Sequence, residues 1–480
     1  MLFNSFNFLL FFPLVTALYF ILPHRYRWAF LLLASIVFYS AFIPYYVFIL
    51  FGLITIDYFA ARYIEDALPK KKKFFLLISI FSLIVALIIF KYFNFFSVNL
   101  VALAKFLHWN YSLPTLNLIL PIGLSFHTFQ SLSYVIEVYR GNQRAEHHFG
   151  IYALYVMFYP QLVAGPIERP QNLLHQFYEV HRLDFKRMAD GLTLMIWGFF
   201  KKIVIADRIA TSVNQVFGHL SDYQGPAIAI AVLFFTFQIY CDFSGYSDIA
   251  IGAARVMGFK LMKNFNAPYL ASSIGDFWKR WHISLSTWFR DYLYIPLGGN
   301  RVSHLRSSFN ILFTFLISGL WHGANWTFVI WGFLHGSYAI LQRFVNQFQL
   351  STRVFGTRFA LYLGPIIGAL VTFLFVSFAW IFFRVSNVTD AFWAVRKIFS
   401  GWDNISLAAF SSGESPLHFF ISLSSIIFLI ITEYGQQFHN LYFRFLRQPL
   451  LIKSVIYSLL ILTILVLGNF EGQEFIYFQF

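Results

Sequence analysis

The feature that most limits what this chain can become is a series of about ten apolar runs whose length and apolarity suit helices crossing hydrocarbon about 30 Å thick, for which roughly 20 residues are needed. They lie near residues 6–22, 28–45, 48–62, 74–93, 116–136, 192–206, 227–240, 361–383, 416–432 and 456–467. Two further runs, 151–164 and 311–341, do not fit one simple span each. Composition agrees: 12% of the 480 residues are charged, where a soluble domain has about 25%, so an ordinary soluble enzyme is excluded. The 64 phenylalanines exclude disorder, and Cys241, the one cysteine, excludes a disulfide scaffold. The net charge of +14 invites a nucleic-acid reading, but the basic residues punctuate apolar runs instead of forming a solvated face, so no nucleic-acid partner is expected. The first run lacks a basic start and is followed by more spans, which predicts a retained helix and not a cleaved signal peptide.

Where Lys and Arg fall predicts orientation, because they favour short cytoplasmic loops. Arg25 and Arg27 follow the first run, residues 42–46 are uncharged, and Lys70 to Lys73 follow the third as a cytoplasmic stop signal. Lys105 stands alone after the fourth, while Arg140 and Arg144 follow the fifth. The alternation puts the N-terminus outside. Arg182, Lys186 and Arg187, the stretch from Arg255 to Arg306, then Arg343, Arg353 and Arg358, then Arg444, Arg447 and Lys453 are cytoplasmic if the chain turns back between Arg306 and Arg343. Arg384, Arg396 and Lys397 count against the scheme. An even number of conventional spans puts the C-terminus outside as well. No repeat or linker divides residues 1–480, which read as one integral-membrane domain with polar excursions at 150–202 and 246–308.

Between Arg306 and Arg343 the sequence is almost uncharged, and Leu320-Trp321-His322-Gly323-Ala324-Asn325-Trp326 lies in its middle. Counted from Ile311, His322 is the twelfth residue, about 18 Å along a helix and a little past mid-membrane. Gly319 and Gly323 make this a candidate for a re-entrant or broken helix, tolerated only where it is buried in protein or lines a wet cavity. An ionisable residue at that depth is a functional hypothesis, and a neutral buried imidazole is suited to accept a proton; a histidine merely satisfied by a helix carbonyl is the alternative. His335 is as easily structural as catalytic. Asn325 would share a face with His322 if the helix resumes there.

From Gly275 to Tyr292, Trp278, Trp281, Leu285, Trp288 and Tyr292 recur at helical spacing, opposite Lys279, Arg280, Ser284, Thr287, Arg290 and Asp291. Ser273 with Asp276 resembles a capping box, and Pro296 with Gly298 and Gly299 ends the pattern. This predicts one interfacial amphipathic helix. Either it is a plain anchor, or Lys279, Arg280 and Arg290 attract the phosphates of an acyl donor such as a coenzyme A thioester. His282 lies near the apolar stripe and points toward a site or simply packs. Cys241 to Asp248 forms a cavity wall or a loop cap.

Nucleotide-binding loops, a His-Glu-x-x-His pair and a Gly-x-Ser-x-Gly elbow are missing from the sequence. The adjacent His147 and His148 read as a solvated loop, and no metal site is expected.

Three strings carry a family likeness: Trp321-His322-Gly323-Ala324; Asp276-Phe277-Trp278-Lys279-Arg280-Trp281-His282-Ile283-Ser284-Leu285-Ser286 with Phe289-Arg290-Asp291-Tyr292; and Phe158-Tyr159-Pro160-Gln161-Leu162-Val163-Ala164-Gly165-Pro166-Ile167. Together they resemble membrane-bound O-acyltransferases over the whole chain, and more narrowly the bacterial branch that acetylates alginate and peptidoglycan or exports D-alanine to teichoic acid. The resemblance implies an all-α membrane fold in which about ten transmembrane helices, re-entrant or broken helices and interfacial helices surround a central cavity. It implies that His322 is catalytic, that the motif around His282 lines the cytoplasmic approach, and that no cofactor is permanently bound, acetyl-CoA being the acyl donor. The expected setting is the bacterial inner membrane, with lipid, a polysaccharide acceptor and a periplasmic SGNH-type transferase as partners.

Phe475-Ile476-Tyr477-Phe478-Gln479-Phe480 resembles the Phe-x-Tyr-x-x-Phe tail that relays acyl groups in such export systems, here fused to the membrane protein, so residues 471–480 are read as an outward-facing relay tail. An aromatic anchor at the outer interface is the alternative. A phenol with a reference pKa near 10 needs an adjacent base to act as nucleophile. His322 would take the proton from Tyr477, or, in a simpler variant, activate an acceptor hydroxyl directly. A non-enzymatic transporter of polymer or lipid-linked sugar, or a structural subunit recruiting the transferase, is the reading from other classes. A transporter commonly shows matching broken helices in two halves, and this sequence shows one such segment.

Overall fold

The structure is a computed structural model that describes residues 1–347, 363–403, 415–470 and 475–478. Arg353, Arg358, Gln479 and Phe480 lie outside the described residues. All regular structure among the described residues is helical.

Among the described residues, six helices are long and apolar enough to cross a membrane: Tyr46–Asp66, Pro69–Phe106, Gly225–Met257, Gly364–Arg384, Pro416–His439 and Leu450–Leu467. Other expected runs are helical but shorter or more polar. Phe6–Ile21 has 16 residues, and Leu124–Arg140 buries His127, Gln130, Ser131 and Ser133. The helix expected at 116–136 starts only at Leu124, after Gly123 at φ +76°, where an added Cβ would lie 2.8 Å from the Leu162 carbonyl oxygen. Glycine alone accepts both that φ and that approach.

Chain contacts group into two compact units. The first comprises Met1–Met195 and Ser247–Met262. Its core is the short helix Phe149–Met157, almost all of whose side chains are buried and which ends the irregular run at 151–164 in turns. His148 caps that helix by accepting from the Ile151 N–H, and His147 approaches Glu65 at 3.2 Å, so the two imidazoles serve separate local contacts.

The second unit comprises Ile196–Tyr246 and Lys263–Phe480. Helix Leu450–Leu467 buries none of its side chains, as expected of a lipid-facing span. Gly225–Met257, with 33 residues and a length of about 50 Å, is by contrast mostly buried. The polar stretch from Cys241 to Asp248 lies inside this helix, so it is not a loop cap. Polar side chains survive there because they face other protein, and Gly245 lets the Gly198 carbonyl oxygen come within 2.7 Å of where a Cβ would stand.

The expected single amphipathic helix at 275–292 is broken. Ile274–Arg280 and Ile283–Phe289 are separate helices, with His282 between them at φ +41°, ψ 56°. The helical stripe predicts each piece correctly but cannot report that another segment captures the hydrogen-bonding groups between them.

Candidate active site

His322 is the last residue of helix His304–His322, and a second helix, Trp326–Gln347, returns alongside it. Arg343 Nη1 donates to Ser307 Oγ at 2.6 Å, so the chain does turn back between Arg306 and Arg343. Glycines set the spacing of this hairpin. A Cβ on Gly319 would sit 2.2 Å from the Phe328 carbonyl oxygen, and one on Gly332 would sit 2.3 Å from that of Phe315. At the tip, a Cβ on Gly323 would strike the Phe328 ring at 2.1 Å. The helix begins seven residues before Ile311, so His322 lies about 27 Å from its start, farther along than the sequence count implied.

The His322 ring is 4% exposed and surrounded by Trp321, Trp331, Phe383 and Tyr477, with ring centroids 5.0, 5.0, 5.2 and 5.6 Å away. The tail that carries Tyr477 folds into the second unit. Phe475 and Ile476 are buried, and the Phe475 ring packs at a tilt against Tyr246, with centroids 4.9 Å apart. The Tyr477 hydroxyl is shielded from solvent and has no hydrogen-bond partner among the described residues. Burial, then the nearby Asp242 carboxylate, raises the Tyr477 phenol above its ordinary pKa. It therefore stays protonated unless a base takes the proton.

His282 joins the same cluster. Phe243 stands between it and the tail, 4.6 Å from the His282 ring and 4.7 Å from that of Tyr477. Asn264 holds His282 in place. Its main-chain oxygen accepts the Ile283 N–H at 2.9 Å, and its side-chain oxygen accepts from the Ser284 N–H at 3.2 Å and from Ser284 Oγ at 2.9 Å. In an unbroken helix the two N–H groups would bond to Lys279 and Arg280; the Arg280 carbonyl instead accepts from the Asn266 N–H at 2.9 Å. The same Asn264 oxygen lies 3.2 Å from His282 Nδ1. Because the Ser284 N–H fixes that atom as an acceptor, Nδ1 carries the hydrogen, and the neutral ring keeps its lone pair on Nε2.

The remaining sequence candidates stand apart from this cluster. Asn325 starts the second hairpin helix by accepting from the Thr327 N–H at 3.0 Å and donates to the Ser386 carbonyl, so it does not continue the His322 face. His335 is wholly buried in an aromatic box, with Trp331 at 4.8 Å and Trp278 at 5.0 Å, and neither ring nitrogen has a hydrogen-bond partner among the described residues. Lys279 is exposed, whereas Arg280 Nε pairs with Asp276 at 2.9 Å and Arg290 Nε with Asp291 at 2.8 Å. Among the described residues, no cluster of three His, Cys, Asp or Glu is arranged to hold a metal ion.

Sequence reasoning missed Asn264 and Lys202, and named Phe243 only as part of the candidate cavity wall from Cys241 to Asp248. Lys202 is 3% exposed and bridges Asp207 at 2.8 Å and Asp242 at 2.7 Å. A signal for it existed: Lys201 and Lys202 interrupt the apolar run at 192–206, and ionisable residues inside such runs require partners.

Residues 142–387 match the membrane-bound O-acyltransferase family. The chain is 39% identical to the probable alginate O-acetylase of Pseudomonas aeruginosa, over 83% of this chain and 75% of that protein. It is 37% identical to a peptidoglycan O-acetyltransferase of Helicobacter pylori, over 80% of this chain and 76% of that one. A teichoic acid D-alanyltransferase of Bacillus subtilis is 27% identical over 56% of this chain and 70% of its own length.

Proposed function

Given that the chain belongs to the membrane-bound O-acyltransferase family and is a multi-pass membrane O-acyltransferase, we propose that it moves acetyl groups from a cytoplasmic thioester, acetyl-CoA, to an extracytoplasmic polysaccharide, either an alginate-like exopolysaccharide or peptidoglycan. Tyr477 is the relay and His322 the base. The observation that carries this reading is the placement of the tail, with the Tyr477 ring 5.6 Å from His322 and its hydroxyl dry and without a hydrogen-bond partner among the described residues.

In the first step, Tyr477 Oη attacks the thioester carbonyl carbon while its proton passes to His322. The C–S bond then breaks, and the departing thiolate recovers that proton from the imidazolium, leaving an acetyl ester on the tyrosine and a free thiol. The tail then carries the ester outward, where an acceptor hydroxyl, activated by an extracytoplasmic transferase of the SGNH type, displaces the phenol. His282, with its Nε2 lone pair, lines the approach opposite Phe243. Lys279 is the cation best placed to meet donor phosphates, because Arg280 and Arg290 already hold carboxylates. In this reading the protein sits in the bacterial inner membrane with both termini on the outer side.

Transfer of acetyl is favoured over D-alanyl because the alginate and peptidoglycan relatives are the more similar ones. The test is His322→Ala, at a normal level of membrane-inserted protein: O-acetylation of the surface polymer falls to background, and unchanged O-acetylation overturns the assignment. Tyr477→Phe separates the two routes. Loss of transfer supports the relay, while full transfer means that His322 activates the acceptor directly.

A further inference from the structure

The C-terminal segment docks on one short stretch of the second unit, and the contacts share a pattern. Helix Phe185–Phe199 loosens into a π-helical turn, Phe200–Ala206, and this turn with the two residues after it receives the end of the chain. Arg208 donates to the Leu467 carbonyl, the Asn469 N–H donates to the Ile203 carbonyl at 3.1 Å, and Asn469 Nδ2 donates to the Asp207 carbonyl at 3.2 Å. The next anchor is ionic. Lys202, on the same turn, holds one oxygen of Asp242 at 2.7 Å, and the other oxygen of Asp242 accepts the Ile476 N–H at 2.7 Å, one residue before Tyr477. All three charged side chains of this cluster are at most 3% exposed.

A buried carboxylate is costly without a cation and hydrogen-bond donors. Asp242 meets this cost by joining a fixed cation to a backbone N–H of the tail. Residue 476 cannot shift without leaving that oxygen, so the register of the tail, and with it the distance of Tyr477 from His322, is set there. We propose that Asp242 and Lys202 are positioning residues forming a latch that holds the tail in its loading position, with Asp242 gripping the Ile476 N–H and Lys202 orienting Asp242. The proposal rests on the reading of Tyr477 as the relay. It adds that, among the described tail residues 475–478, the main-chain hydrogen bond from Ile476 is the hold that the tail must release before it can deliver.

The experiment uses the full chain in detergent, with two readouts. Timed carboxypeptidase digestion reports docking, and mass spectrometry of the C-terminal peptide after incubation with acetyl-CoA reports loading. Asp242→Asn keeps an oxygen for Ile476 and leaves Lys202 paired with Asp207; Asp242→Ala removes the oxygen. The expected result is removal of Tyr477 and Ile476 about tenfold faster or more in Asp242→Ala, in line with loss of a charge-assisted hydrogen bond, with loading reduced to match. Asp242→Asn stays within about threefold of the parent protein by the same reasoning. Ile476→Pro deletes the N–H without touching the membrane helices and should copy the reduced loading of Asp242→Ala, which keeps the test valid if Asp242→Ala misfolds; loading is its readout, because proline itself resists carboxypeptidase. Equal loss in Asp242→Asn and Asp242→Ala would assign Asp242 to the ion pair alone and overturn the latch, as would unchanged loading in Ile476→Pro. Protection reads docking whether or not Tyr477 is acetylated, so a failed relay and a failed latch give different results.

Discussion

Replacing Asn264 by alanine is the most informative way to disturb the site without touching a reacting group. The side-chain oxygen of Asn264 accepts from the Ser284 N–H and Ser284 Oγ and lies against His282 Nδ1. Asn264, His282 and Ser284 are all fully buried, so water does not replace the lost acceptor. A buried donor left unsatisfied costs about 1–3 kcal/mol, so two or three of them cost roughly 2–9 kcal/mol. The left-handed conformation of His282 adds about 1–2 kcal/mol of strain that the same acceptor now offsets. Relaxation toward a continuous helix recovers part of this, by letting the Ser284 N–H return to the Arg280 carbonyl, and it carries the His282 ring away from Phe243. A misplaced group costs catalysis about 100-fold even where the fold survives. Asn264→Ala should therefore reduce acetyl transfer about 100-fold while the protein still inserts, and Asn264→Asp, which keeps the acceptor oxygen, should recover much of it. Transfer by membranes normalised for protein content measures this. Transfer by Asn264→Ala within threefold of the parent would refute the claim that Asn264 holds His282 in a working position.

Gly319→Ala forces a Cβ to within 2.2 Å of the Phe328 carbonyl oxygen, so the hairpin must open; a loss of about 1–3 kcal/mol or more, read as a lower melting temperature in detergent, is expected. Lys279→Ala should raise KM for the thioester donor several-fold with kcat little changed, the mark of lost uniform binding, whereas Arg290→Ala should have little effect because its guanidinium is already paired with Asp291. His335→Phe should retain transfer within about threefold and keep its melting temperature, because the ring it replaces is packed among aromatics and makes no hydrogen bond to the described residues.

The parts of this molecule legible in the sequence are those that a local pattern controls. Apolar runs of about 20 residues predict spans because each satisfies its own backbone within one segment. The Trp-His-Gly string marks the hairpin tip because Gly323 is needed where the Phe328 ring packs. The parts that were not legible are controlled by partners distant in sequence. The stripe from Trp278 to Tyr292 is a true helical signal, and it breaks because Asn264, 18 residues before His282, takes two of its N–H groups. The tail shows the same logic. Its aromatic residues suit an outer interface equally well, and partners distant in sequence, the Asp242 oxygen that accepts from Ile476 and the rings of Phe243 and Tyr246, accompany its place beside His322.

What connects the two classes is the polar exception within an apolar setting. Lys202, Asp242, His282 and His322 are each buried where a hydrocarbon side chain would be cheaper, and each lies in the second unit. All four touch the tail directly or through one intermediary: His322 by its ring, Asp242 by its oxygen, and His282 across Phe243. Lys202 reaches it through Asp242. Stability alone gives no reason to retain such a set, since a buried ion pair is often no better than apolar packing of the same volume. An acyl group passed through a dry interior needs an acceptor hydroxyl, a base and a fixed register between them. In the mechanism proposed above, Tyr477 and His322 meet the first two needs, and the ionic cluster at the π-helical turn meets the third.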